Sequence, residues 1–281
     1  MSHFDFDAYT PAEMAVRVET ACCGKAALDR TSMFALAVLA GAFIALGAIF
    51  YTFVVHDPAL GLVTGRLLGG LVFCLGLILV VVGGAELFTG NNLIVMAYAH
   101  RKITISQLLR NWGIVYVGNF AGALFMVMLV YFSGHWAIDG LAAKVVMIAN
   151  HKVSLSFSEA LVRGILCNVL VCLAIWLCYA GHSVTDKILA ILFPITAFVA
   201  LGFEHSVANM YFIPAGLLLV DDANVLMSAM QTAGQAIDVS RLNAYGFLVN
   251  NLLPVTIGNM IGGGLFVGVV YWFIYLRRRE E

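Results

Sequence analysis

G-F-E-H-S-V-A-N-M-Y-F-I-P, the thirteen residues from Gly202 to Pro214, sets a carboxylate beside an imidazole in the middle of a long apolar run. Ionisable groups at bilayer depth cost at least a few kcal/mol each, so Glu204 and His205 require partners, water or a task. The purely structural alternative is that His205 caps a broken helix. The surrounding composition decides the setting. With 62% hydrophobic and 11% charged residues over 281 positions and a mean hydropathy of +0.96, the chain is too apolar for a soluble globule. It reads as an all-α integral membrane protein.

Six apolar runs follow one another: Met33–Val55, Leu67–Ala99, Gly113–Phe132, Phe157–Ala180, Ile188–Val220 and Phe247–Leu276. The second and fifth are each 33 residues, about 50 Å as straight helices against a hydrocarbon core of roughly 30 Å. Each is too long for one ordinary span and too short for two. Both carry polar residues midway, Glu86, Thr89, Asn91 and Asn92 in one, Glu204, His205, Ser206 and Asn209 in the other. The expectation is that spans 2 and 5 are broken by non-helical backbone, which survives at that depth only when it lines a cavity or is buried in protein.

Basic residues test six spans against eight. Six spans with a cytoplasmic N-terminus place Arg17, Lys25, Arg30, Arg101, Lys102, Arg110, Lys187, Arg277, Arg278 and Arg279 inside, and only Arg66, Lys144, Lys152 and Arg241 outside. Splitting the two long runs gives a nearly even distribution, so the positive-inside rule selects six spans with both termini cytoplasmic. Ahead of the first span, Thr10-Pro11-Ala12-Glu13 is a capping box with proline at the first helical position, predicting a helix from Pro11 to Leu28. It reads either as a surface helix able to cover a pore mouth or as a packing helix. The expected layout is this helix within 1–32, a channel domain over 33–276, and a tail, 277–281.

An internal repeat supports that count. Gly84-Ala85-Glu86 with Asn91 matches Gly202-Phe203-Glu204 with Asn209, Phe34 with Gly41 matches Phe157 with Gly164, and Asn111, Gly118, Asn119 and Gly122 match Asn251, Gly258, Asn259 and Gly262. Three ordered matches across three plus three spans indicate duplication, with repeats expected over 33–132 and 157–276, and an odd number of spans per half makes the halves inverted. Glu86 and Glu204, with Asn91 and Asn209, are expected to be structural, the carboxylates accepting from backbone N–H groups freed at the breaks.

Other classes find little support. No nucleotide motif, nucleophile elbow or metal-ligand spacing is present, so neither an enzyme nor a cofactor is expected. A net charge of -1 carries no signature of nucleic acid, and the six cysteines, four of them within apolar spans, form neither a disulfide framework nor a zinc pattern. Acidic residues among the first thirty and the depth of the apolar runs argue against a cleavable signal peptide. An anion or weak-acid channel, a neutral-solute pore and a membrane scaffold remain. The paired Asn-Pro-Ala turns of water and glycerol pores are missing, and a scaffold has no use for matched polar breaks.

The stretches A-E-L-F-T-G-N (Ala85–Asn91), N-H-K-V (Asn150–Val153), G-I-L-C-N (Gly164–Asn168), G-F-E-H-S-V-A-N-M (Gly202–Met210) and L-P-V-T-I-G-N (Leu253–Asn259) resemble the formate/nitrite transporter family, most of all its formate channels. The resemblance runs from Pro11 to Leu276. It implies an aquaporin-like fold, a homopentamer with one pore per subunit in a bacterial inner membrane, and formate or related small anions as cargo. It also implies roles for single residues. The central histidine falls on His205, the loop threonine on Thr89, the vestibule lysine on Lys152, the pore asparagines on Asn168 and Asn259, and apolar constrictions on Phe73, Leu77, Leu87, Phe88 and Phe198. For weak-acid cargo a histidine is the natural proton donor, its unperturbed pKa being near 6.5.

Overall fold

The computed structural model describes residues 8–278, so Arg279 of the charge count and the ends of the N-terminal segment and tail lie outside the described residues. Helix α1, Pro11–Ala27, carries the capping box: Thr10 and Glu13 satisfy each other's backbone. α2 (Arg30–Val55), α3 (Leu62–Gly83), α4 (Val95–Ala99), α5 (Ile105–Phe132), α6 (Leu141–Val153), α7 (Phe157–Cys178), α8 (Val184–Ala200), α9 (Ser206–Leu219) and α10 (Ala223–Ala233) follow. The last span, Gly246–Tyr275, is helical throughout and contains two π-helical stretches, Gly246–Leu252 and Met260–Val269. Among the described residues five helices are long and apolar enough to cross a membrane, or six when α9 and α10, bent by 114°, are taken as one.

Both long runs are interrupted where the polar residues fall. α3 ends at Gly84 in a left-handed turn (φ +79°), followed by irregular backbone, a 3-10 turn over Gly90–Ile94 and α4. α8 ends ahead of Gly202 (φ +72°), and α9 restarts after His205. The two ends close alike: Ala85 N–H reaches Val80 carbonyl across the Gly84 turn, and Phe203 N–H reaches Phe198 carbonyl across Gly202. A side chain is strained at such positive φ, which is why glycine occupies both positions.

The matching of the halves runs further than the spans. Glu86 N–H donates to Leu36 carbonyl and Glu204 N–H to Arg163 carbonyl, so each break is pinned to the first span of its half. Gly118 lies over Phe34 carbonyl and Gly258 over Leu161 carbonyl. Phe34 therefore corresponds to Leu161, and the sequence match to Phe157 is one helical turn out of register. In the corrected register Gly41 corresponds to Asn168. A Cβ on Gly41 would sit 2.0 Å from Asn119 carbonyl oxygen, while the Asn168 amide donates to the equivalent carbonyl of Asn259 at 2.7 Å.

α1 also has a counterpart, α6. Each ends in a lysine whose ammonium reaches a break carboxylate, Lys25 to Glu86 and Lys152 to Glu204. Each lysine's carbonyl accepts an asparagine from a later span, Asn111 or Asn251. A side-chain cap then starts the next helix, Asp29 for α2 and Ser156 for α7. The repeated unit thus includes the N-terminal helix, and the boundaries 33–132 and 157–276 cut it short.

Candidate functional site

The breaks meet across the interface of the halves. α9 starts on His205, whose Nδ1 accepts the Ala208 N–H at 3.0 Å, while its Nε2 lies 2.9 Å from Thr89 Oγ1. A backbone N–H can only donate, so Nδ1 is the bare nitrogen and Nε2 bears the proton, which it gives to Thr89. His205 is 3% exposed and Thr89 fully buried. Of the sequence alternatives for His205, the cap of a broken helix is present, and the same ring also contacts Thr89.

Glu86 and Glu204 are buried, and their partners differ from the expectation. Glu204 Oε1 accepts Lys152 Nζ at 2.9 Å, and Oε2 accepts the amides of Asn209 at 2.7 Å and Asn251 at 3.2 Å. Glu86 accepts Lys25 at 2.5 Å and Asn91 at 2.7 Å. Lysines and asparagines, not freed backbone groups, satisfy the carboxylates. The freed backbone groups go to another matched pair. Asn119 Oδ1 accepts Phe88 N–H at 2.8 Å and its amide donates to Ala37 and Glu86 carbonyls. Asn259 Oδ1 accepts Ser206 N–H at 2.9 Å and its amide donates to Gly164 and Glu204 carbonyls. All of these groups are inside protein, so leaving one unpaired would carry a desolvation penalty of about 1–3 kcal/mol.

Asn259 therefore braces the second break with both amide hydrogens and with its Oδ1, and has no free N–H left on its side chain for a passing solute. Asn168 donates to Thr89 carbonyl at 3.2 Å, Asn92 Oδ1 at 2.9 Å and Asn259 carbonyl at 2.7 Å, and its own Oδ1 has no protein partner. It fixes Thr89 by its backbone. Lys152, read from sequence as a charge outside the membrane, instead reaches inward to Glu204.

Two cavities approach this contact from opposite ends. One, about 560 Å³, is lined by Phe73, Phe198, Lys152, Glu204 and His205 at its floor and by Arg66 and Lys144. The other, about 260 Å³, is lined by Leu87, Val80, Asn91, Lys25, Arg17 and Lys187. Phe73 and Phe198 meet edge to face at 5.7 Å, and Phe198 lies flat against the His205 ring at 5.9 Å. Leu77 is buried and lines neither cavity. Phe88 also lines neither, packing edge-on against Trp112 and Tyr116.

Sequence reasoning missed Lys25, Asn111, Asn119 and Asn251. Three of these stood in the repeat match, where the glycines beside them drew the attention, and Lys25 has its signal in its spacing to the first span, the same as that of Lys152.

The formate/nitrite transporter family profile matches residues 12–273. Formate channel FocA of Escherichia coli (strain K12) is 44% identical over 280 residues, covering 98% of both chains. FocA of Haemophilus influenzae is 41% identical over 93% of both. Among solved structures, a pentameric formate channel with formate bound superposes with a TM-score of 0.80 at 40% identity, covering 88% of this chain and 98% of that one. An FNT family ion channel gives 0.79 at 28% identity, covering 93% and 98%.

Proposed function

Because the chain belongs to the formate/nitrite transporter family, we propose that it is a channel for formate, assembled as a homopentamer in the bacterial inner membrane with both termini in the cytoplasm. The similarity to formate channels, one of them pentameric, supports cargo and assembly. The observation that carries the reading is the Thr89–His205 contact at 2.9 Å, set beside the Phe73–Phe198 pair at the floor of one cavity.

A bare carboxylate faces an idealised solvation penalty of tens of kcal/mol in such an apolar passage, whereas the neutral acid faces only that of a polar group. His205 is the titratable group at the contact, and in this reading it gives the anion its proton. In the tautomer described above, Nε2–H is a hydrogen-bond donor to a carboxylate that displaces Thr89. Full transfer requires the imidazolium, which carries a proton on Nδ1 and must let go of Ala208 N–H. Proton uptake on Nδ1 and uncapping of α9 are then one event, and delivery from Nε2 leaves a neutral ring whose proton is on Nδ1. Thr89 and Asn168 shape the contact, Lys152 holds Glu204 beside it, and Phe73, Leu77, Leu87, Phe88 and Phe198 form the apolar barrier.

Fluxes of formate, nitrite, hydrosulfide and glycerol into proteoliposomes test this. Formate uptake well above glycerol uptake is expected. Glycerol passing as fast as formate, or neither passing, would remove the reading, and nitrite or hydrosulfide passing far ahead of formate would change its cargo.

A further inference from the structure

Lys152 is compensated. Its ammonium is 2.9 Å from Glu204 Oε1 and mostly buried, so most of its field is spent within the protein. The same cavity is lined by two other cations, Arg66 on α3 and Lys144 on α6. Neither makes an ion pair or side-chain hydrogen bond among the described residues. Lys144 is half-buried, and burial followed by the nearby Arg66 guanidinium holds its ammonium below the ordinary lysine value. The remaining ionisable groups of the wall are Tyr51, Asp57, whose carboxylate caps the turn at Ala59, His151, the Lys152–Glu204 pair and His205. With both histidines and the tyrosine neutral, the wall is net positive. Lys144 and Lys152 lie two helical turns apart on α6, about 12 Å along its axis, so the free cations stand well above the His205 floor.

We propose that Arg66 and Lys144 form a separate anion-collecting site at the mouth of this cavity, binding a small carboxylate or similar monovalent oxyanion before it reaches Lys152 and His205. Two like charges on one cavity wall repel each other, and an anion between them relieves that repulsion. A guanidinium offers a forked pair of donors to a carboxylate and the ammonium a third. A cleft with one sign of charge raises local counter-ion concentration and arrival rate. The inference rests on the formate reading for its cargo.

The test is formate uptake against concentration in right-side-out membrane vesicles, at low and high levels of an impermeant salt, for wild type, Lys144→Gln, Arg66→Gln with Lys144→Gln, and the charge-keeping exchange Arg66→Lys with Lys144→Arg. The double glutamine variant is expected to raise the half-saturation concentration roughly tenfold while keeping uptake at saturating formate. It should also lose the salt sensitivity of the wild type, because screening acts on this site. The single variant should fall between, and the charge-keeping exchange should match wild type. Unchanged half-saturation and salt dependence in both glutamine variants would overturn the site while leaving the formate reading intact. Absence of formate uptake by the wild type would overturn both.

Discussion

Glutamine is close to isosteric with glutamate, yet Glu204→Gln should be strongly destabilising. Each carboxylate oxygen of Glu204 faces only donors: Lys152 Nζ at 2.9 Å on one side, and the amides of Asn209 and Asn251 at 2.7 and 3.2 Å on the other. Either orientation of a glutamine points its NH2 at a donor. Breaking a buried pair by removing one partner costs about 3–5 kcal/mol, and Lys152→Met should cost a similar amount by leaving the carboxylate with two amides. Combined, the substitutions fit each other. The glutamine oxygen accepts from Asn209 and Asn251, and its NH2 turns toward the methionine, where no donor opposes it. The double variant should therefore be more stable than the sum of the single effects by about 3 kcal/mol, a coupling at the upper end of those measured for contacting residues. Unfolding in mixed micelles with increasing dodecyl sulfate, followed for all four proteins, gives the cycle. Additive single effects, with coupling under about 1 kcal/mol, would refute the claim that the carboxylate is held by donors alone.

Three further outcomes are expected. Asparagine is among the best helix caps, so His205→Asn should assemble normally but lose the pH dependence of formate flux between roughly pH 5 and 8, while His205→Phe loses the cap as well, at about 1 kcal/mol; a wild-type pH profile in His205→Asn would mean that the proton comes from water. Phe198→Ala should let larger carboxylates pass faster than in wild type and lower stability by about 3–5 kcal/mol, measured by comparative flux and the same unfolding assay; unchanged selectivity would remove Phe198 from the barrier. The Asp29 cap is held below its ordinary carboxylate value by Ser32 and Thr31. Its contribution is therefore present above the unfolded value and lost as pH falls through the lower folded one, and Asp29→Asn should flatten that acid-side loss in a thermal-unfolding series.

The spans and their breaks were legible because an apolar run of the wrong length with polar residues at its centre has few physical solutions. The G-x-E-x-x-x-x-N match located both breaks. Contacts across the halves were less legible. Glu86 and Glu204 stood out in the sequence as carboxylates at the breaks, but nothing local in the sequence shows that their donors are lysines at the ends of separate helices. The pairing of Phe34 with Phe157 misled because the spacing between corresponding residues changes from span to span, and a phenylalanine with a glycine seven residues on arises easily in apolar helices. Thr89 and His205 lie far apart in sequence, and only the family resemblance brought them into one site.

The duplicated parts are the supports: lysine, glutamate and asparagine occur at the same positions in each half. Unmatched positions include His205 against Leu87, Val207 against Thr89, Ser206 against Phe88, Met210 against Asn92 and Asn168 against Gly41, as the two aligned breaks and first spans place them. An inverted pair of equal supports looks the same from either side of the bilayer and so gives a moving ion no preferred direction. A preference for direction must therefore originate in mismatched positions of this kind and in the two different cavities. Exchanging Leu87 with His205 would carry the imidazole to the opposite break, and it would also take from α9 the cap that His205 Nδ1 gives to Ala208 N–H.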